Sequence, residues 1–114
     1  MTFRRWDVVS VPFPFVDGYA SKRRPALVIS TDAFHRAQHA CFAAMITTAR
    51  NLTDVRADDI AITDLAKAGL PRPCVIRLAR LATFEWHGGI RRIGILSAPQ
   101  RSSVGALLKR WLGV

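Results

Sequence analysis

The sequence predicts a mainly β fold with short helices, a small and mostly antiparallel β-barrel or sheet carrying one C-terminal helix. Three observations predict it. Short apolar runs, each bounded by proline, glycine or polar clusters, recur along the chain in the manner of strands. Only the last stretch keeps a helical period over several turns, with Val104, Leu107, Leu108 and Trp111 at i, i+3, i+4 and i+7. The chain has 114 residues, half of them hydrophobic, which suits one domain over residues 1–114 built on one core and argues against a disordered chain.

The elements follow in order. Residues 7–11 read as a strand that Pro12 and Pro14 end, with Phe13 and Phe15 as apolar anchors beside the turn. Asp17, Gly18, Tyr19 and Ser21 mark a loop over residues 16–22. Residues 24–30 read as a second strand that Leu27, Val28 and Ile29 continue, after which Thr31 is placed to cap a short helix over residues 32–38. Residues 41–46 are almost wholly apolar and read as a third strand buried on both faces, with Thr47 and Thr48 where it emerges. A polar connection over residues 50–58 leads to a brief strand at 60–62, and Thr63 is placed to cap a helical turn that Gly69 stops. Residues 74–78 and 81–84 read as two strands interrupted by the charges of Arg77 and Arg80. Ser97 opens the last helix in a capping-box pattern with Gln100, and Gly113 closes it.

Charge is the strongest clue to partners. Lysine and arginine number 17 against 8 acids, a net charge of +9, and all of these cations except Lys22, Lys67 and Lys109 are arginine. Such an excess favours a polyanion through steering and counterion release, and arginine adds planar two-pronged recognition of phosphate. Cys41 and Cys74 lie far apart in apolar runs and read as buried thiols of a cytoplasmic protein. With no CxxC pair and no carboxylate spaced to join His35 and His39, neither a metal site nor a cofactor is expected. No run has transmembrane length, and Phe3-Arg4-Arg5-Trp6 lacks the apolar segment of a signal peptide, so no membrane partner is expected.

The candidate site lies at the junction Lys22-Arg23-Arg24-Pro25. A residue before proline is driven into extended geometry, so Arg24 stands rigidly at the mouth of a strand, where a cation suits a phosphate. No nucleophile elbow, P-loop or closely spaced carboxylate pair is present; the adjacent Asp58 and Asp59 read as a solvated strand entry. Arginine plus hydroxyl remains, with Arg24 starting one strand and Thr47 ending another. Such a pair makes no strong nucleophile, yet it grips a phosphate and stabilises charge on a substrate that carries its own nucleophile, as RNA does in its 2′-hydroxyl.

Trp6-Asp7-Val8-Val9, Pro12-Phe13-Pro14-Phe15 and Lys22 to Ser30 together resemble the opening half of PemK/MazF-type toxins of bacterial toxin–antitoxin pairs. Ala44-Met45-Ile46-Thr47-Thr48 is similar to that family's strand ending in threonine, and the stretches from Gly69 to Phe84 and from Gly94 to Ser97 resemble its second half. The resemblance implies an SH3-like β-barrel, a homodimer, and a sequence-selective, metal-free endoribonuclease acting on single-stranded RNA. It implies Arg24 and Thr47 as catalytic residues, Arg24 stabilising the phosphorane and protonating the leaving oxygen and Thr47 bonding a non-bridging oxygen. It further implies RNA contacts from Asp17, Tyr19, Lys22, Arg23, Thr48, Arg77 and Arg80, an acidic antitoxin as partner, and contact with DNA only through the antitoxin complex. Three positions depart from the family pattern: Trp6 stands where glycine is usual, Ala79 where one branch has an acid, and Gly18 where that branch has a histidine. Two alternatives stand beside the enzyme: a non-catalytic nucleic-acid-binding barrel, and a module whose basic groove serves an acidic antitoxin peptide.

Overall fold

The computed structural model describes residues 3–12, 23–49, 55–85 and 89–114. Its strands are β1 (Asp7–Pro12), β2 (Arg23–Val28), β3 (Ala40–Thr48), β4 (Ile60–Ala61), β5 (Cys74–Glu85) and β6 (Arg91–Ile95); its helices are α1 (Asp32–Gln38), α2 (Leu65–Ala68) and α3 (Ala98–Leu112). The strands form one antiparallel sheet in the order β4-β5-β3-β2-β1-β6, curled into a half-barrel. Neighbours in sequence are mostly neighbours in space, as short connections require.

Alternation divides the apolar side chains between the two faces of this sheet. On one face Val8, Leu27, Ala44, Ile46, Ile76 and Leu96 pack beneath α3, which contributes Val104 and Leu108. The other face gathers Val9, Val11, Ala26, Val28, Cys41 and Ala43 with Phe3, Phe84 and Ile90. Burial of the Cys41 thiol pushes its pKa up to about 12, so it stays protonated and inert.

Several sequence expectations change in detail. The two strands expected around Arg77 and Arg80 are one, β5, whose register against β3 slips between Met45, opposite Arg77, and Ala44, opposite Leu81. This irregularity carries Arg80 outward while the strand continues. Phe42 shows that β3 is not buried on both faces: it is exposed and stacks on Phe34 of α1 with ring centroids 4.2 Å apart. Asp64, not Thr63, caps α2 by accepting from the Lys67 N–H at 3.0 Å. The capping box at Ser97 does not form. Ser97 occupies the N-cap with its hydroxyl unbonded, and Gln100 instead donates to the Ala61 carbonyl (2.6 Å) and accepts from the Thr63 N–H (3.0 Å), fastening α3 to β4. Val104 and Leu108 are buried as expected, whereas Trp111 is largely exposed.

Trp6, where the resembled family has glycine, has a structural consequence. Its φ is +77°, a left-handed conformation that glycine adopts freely and a side chain adopts at a cost of about 1–2 kcal/mol. Two hydrogen bonds hold it there, Trp6 N–H to the Val28 carbonyl (2.8 Å) and Leu96 N–H to the Trp6 carbonyl (2.9 Å), and its ring packs on the α3-side core.

Candidate active site

Arg24 and Thr47 belong to adjacent strands. The β2–β3 pairing ends with Ala26 opposite Met45; Arg24 and Thr47 each lie two residues beyond that pair, and alternation turns both toward the face bearing Ala26 and Met45. Fully buried Val11 lies opposite Arg24 on β1 and supplies a rigid floor. Both side chains are half-buried, and neither makes a hydrogen bond to another described residue, so their polar ends are open.

Arg77 joins this face because it lies opposite Met45. Its guanidinium is already engaged: Nη2 donates to Asp59 Oδ2 at 2.9 Å, and Nε lies 3.3 Å from both carboxylate oxygens. Both side chains are shielded, 10% exposed for Arg77 and 3% for Asp59, so this is a buried ion pair. Asp59 also accepts from the Arg56 N–H at 2.7 Å, which closes the turn leading into β4. The expectation of a solvated strand entry at Asp58 and Asp59 is therefore half right: Asp58 is exposed with φ +65°, and that left-handed residue turns the chain so that Asp59 drops inward onto Arg77. Asp59 is the site residue that the sequence reading missed. Its signal was the pairing itself, since Ile60 opposite Ile76 brings the preceding residue beside Arg77, but that requires knowing which strands meet.

The remaining expected contacts divide by position. Arg23 turns to the opposite face, where its Nε donates to Ser10 Oγ (3.1 Å) and its Nη2 to the Ser10 carbonyl (2.8 Å). Thr48 likewise alternates away from Thr47 and hydrogen-bonds the Cys74 thiol, whose pKa burial nevertheless raises. Arg80 is exposed at the β5 irregularity. Asp17, Tyr19 and Lys22 lie outside the described residues. Among the described residues no three His, Cys, Asp or Glu side chains converge to hold a metal ion, and no helix is long and apolar enough to cross a membrane.

Comparison with solved structures finds the same fold. MazF from Deinococcus radiodurans aligns at 20% identity with a TM-score of 0.74, covering 100% of this chain and 99% of its own. A MazE–MazF complex from the same organism aligns at 19% identity, a TM-score of 0.74, and coverage of 100% and 98%. An endoribonuclease in complex with its cognate antitoxin from Mycobacterial species aligns at 18% identity with a TM-score of 0.73, covering 99% and 97%. No curated relative matches the chain. The family model for PemK-like, MazF-like toxins of type II toxin–antitoxin systems matches residues 4–112, nearly the whole chain, and the protein belongs to that family.

Proposed function

We propose that the protein is a metal-independent endoribonuclease toxin that cuts single-stranded RNA at chosen sequences. The observation that carries this reading is the open Arg24 guanidinium and the open Thr47 hydroxyl, each two residues beyond the Ala26–Met45 pair and on the same face of adjacent strands. With two such groups on the phosphate, the 2′-hydroxyl of the preceding nucleotide gives up its proton to solvent water as its oxygen attacks phosphorus, and the bond to the 5′-oxygen breaks. The products are a 2′,3′-cyclic phosphate and a 5′-hydroxyl whose oxygen has taken a proton. Arg24 stabilises the charge that develops on the phosphorane, the step at which preorganised charge contributes most. Thr47 donates to a non-bridging oxygen. Asp17, Tyr19, Lys22, Arg23, Thr48, Arg77 and Arg80 are the candidates for further RNA contacts, and the buried pair with Asp59 makes Arg77 a fixed element of the site.

A net charge of +9 suits an acidic antitoxin, and the relatives solved as MazE–MazF and endoribonuclease–antitoxin complexes support that partner. Exposed Phe42, Leu81, Trp111 and Leu112 supply apolar surface for a homodimer. Purified protein incubated with a long RNA tests the activity. Cleavage is expected to persist in excess EDTA and to leave cyclic phosphate ends; loss of cleavage in EDTA, restored by Mg²⁺ or Zn²⁺, would contradict the metal-free reaction.

A further inference from the structure

Arg4, Arg5, Arg92 and Arg101 line one cleft of about 740 Å³ where the segment before β1, the strand β6 and the first turns of α3 meet. Three of these side chains are held by their inner nitrogen. Nε of Arg92 donates to Asp7 Oδ1 (3.1 Å), Nε of Arg101 to the Leu96 carbonyl (3.0 Å) and Nε of Arg5 to the Ile29 carbonyl (3.0 Å). Arg5 is braced further by the Trp6 ring, 4.5 Å from its guanidinium carbon. Each such bond fixes the guanidinium plane and leaves both terminal nitrogens without a partner among the described residues. The exposed Arg4 side chain makes no hydrogen bond to them at all. Preset forks with open ends are what bidentate capture of phosphate oxygens requires, because little side-chain entropy is left to lose.

The cleft also lies beside the proposed active site. On β1, Asp7, Val9 and Val11 share a face; Arg92 of β6 lies opposite Val9 and Arg24 of β2 opposite Val11. Arg92 and Arg24 therefore flank β1 on one face of the sheet, about 12 Å apart, two strand spacings across and two residues along. We infer that this cleft is a second phosphate-binding station for single-stranded RNA, holding the backbone at a phosphate other than the one that is cut. The inference rests on the RNA-directed reading above. An acidic peptide fits less well. Ile95 is the one apolar residue in the described lining, and a segment that orders on binding needs apolar anchors to offset its lost entropy, whereas phosphate contacts need only cations. Of the two carboxylates present, Asp7 is already engaged by Arg92 and by the Arg4 N–H, and Asp32 is exposed at the rim.

The test uses the full chain and a long single-stranded RNA carrying 2′-O-methyl groups throughout, which blocks internal attack, titrated by fluorescence anisotropy at increasing KCl. Arg92→Gln combined with Arg101→Gln is expected to lower the magnitude of the slope of log affinity against log salt by about 1.4, which is about 0.7 for each phosphate no longer neutralised. Arg4→Gln, which breaks no internal hydrogen bond, is expected to lower it by about 0.7 and keeps the inference testable if the double variant folds poorly. Unchanged slopes in both proteins would overturn the inference. It would be overturned equally if the variants weakened only the binding of poly-glutamate, which would assign the cleft to an acidic protein. Because this readout needs no cleavage, it stands apart from the proposed reaction: an inactive protein with the expected slopes keeps the cleft, and an active one with unchanged slopes loses it alone.

Discussion

At the scale of single residues, Trp6 and Asp59 show what a sequence conceals. Nothing in a tryptophan announces a positive φ; only the glycine usual at this position in the family hints at it. The structure balances about 1–2 kcal/mol of backbone strain against a ring packed on the core and stacked by Arg5. Trp6→Ala loses the packing and keeps the strain, whereas Trp6→Gly loses the packing and relieves it. Chemical denaturation is therefore expected to rank both below the wild type, with Trp6→Gly the more stable of the two by about 1 kcal/mol; the reverse order would show that the strain is absent. Asp59 was illegible because its role depends on a strand pairing that no local pattern reveals. Removing one partner of a buried pair leaves the other charge desolvated. Asp59→Ala is expected to cost about 3–5 kcal/mol of stability, and replacing Asp59 and Arg77 together by apolar residues of similar size to cost much less. A loss below about 1 kcal/mol for Asp59→Ala would show the pair to be solvated, as an exposed ion pair is.

At the scale of elements, local propensity located most strands and helices, and tertiary contact decided their edges. Thr31 caps α1 as its sequence predicts, accepting from the Phe34 N–H at 3.3 Å, because the cap is a purely local device. Gln100 matches the capping-box spacing equally well, yet β4 lies within reach and takes its side chain. The helix α1 carries a further clip that spacing alone did not reveal. Buried His35 shares a 2.6 Å hydrogen bond between Nε2 and Ser30 Oγ, and Ser30 Oγ accepts from the Phe42 N–H at 2.9 Å, joining the end of β2, α1 and β3. Burial lowers the His35 pKa below its ordinary 6.5, more than the carboxylates of Asp32 and Asp7 and a hydrogen bond to the Phe3 backbone raise it, while Arg36 lowers it further. The unfolded chain therefore binds the proton more readily. The stabilisation is complete above about pH 6.5 and is lost as pH falls from there through the folded pKa. Between about pH 7 and pH 5 the melting temperature of the wild type should fall more than that of His35→Gln; parallel curves would show that His35 does not couple to folding.

At the scale of the whole molecule, both faces of the sheet are packed, one beneath α3 and the other around Val9, Val28 and Phe84, and the second face also bears Arg24, Thr47 and the Asp59–Arg77 pair. The fold class was legible because short apolar runs bounded by proline, glycine and polar clusters recur along the chain. The expectation that Arg24 and Thr47 share a site rests on a proline at one strand mouth and an apolar run ending at the other. That Arg23 and Thr48 face away was not legible, because alternation assigns faces only once the register is known. The account's central claim is that the substrate supplies the nucleophile and the protein supplies charge and orientation. Its most direct test replaces by hydrogen the single 2′-hydroxyl next to a mapped scissile phosphate, with Arg24→Ala assayed in parallel on the unmodified RNA. The expected result is loss of cutting at that phosphate with binding nearly intact, because one hydroxyl contributes little to a phosphate-dominated interface, together with a rate about 10²–10³-fold lower for Arg24→Ala. Undiminished cleavage of the deoxy-substituted RNA at the same phosphate, or a fully active Arg24→Ala protein, would contradict it.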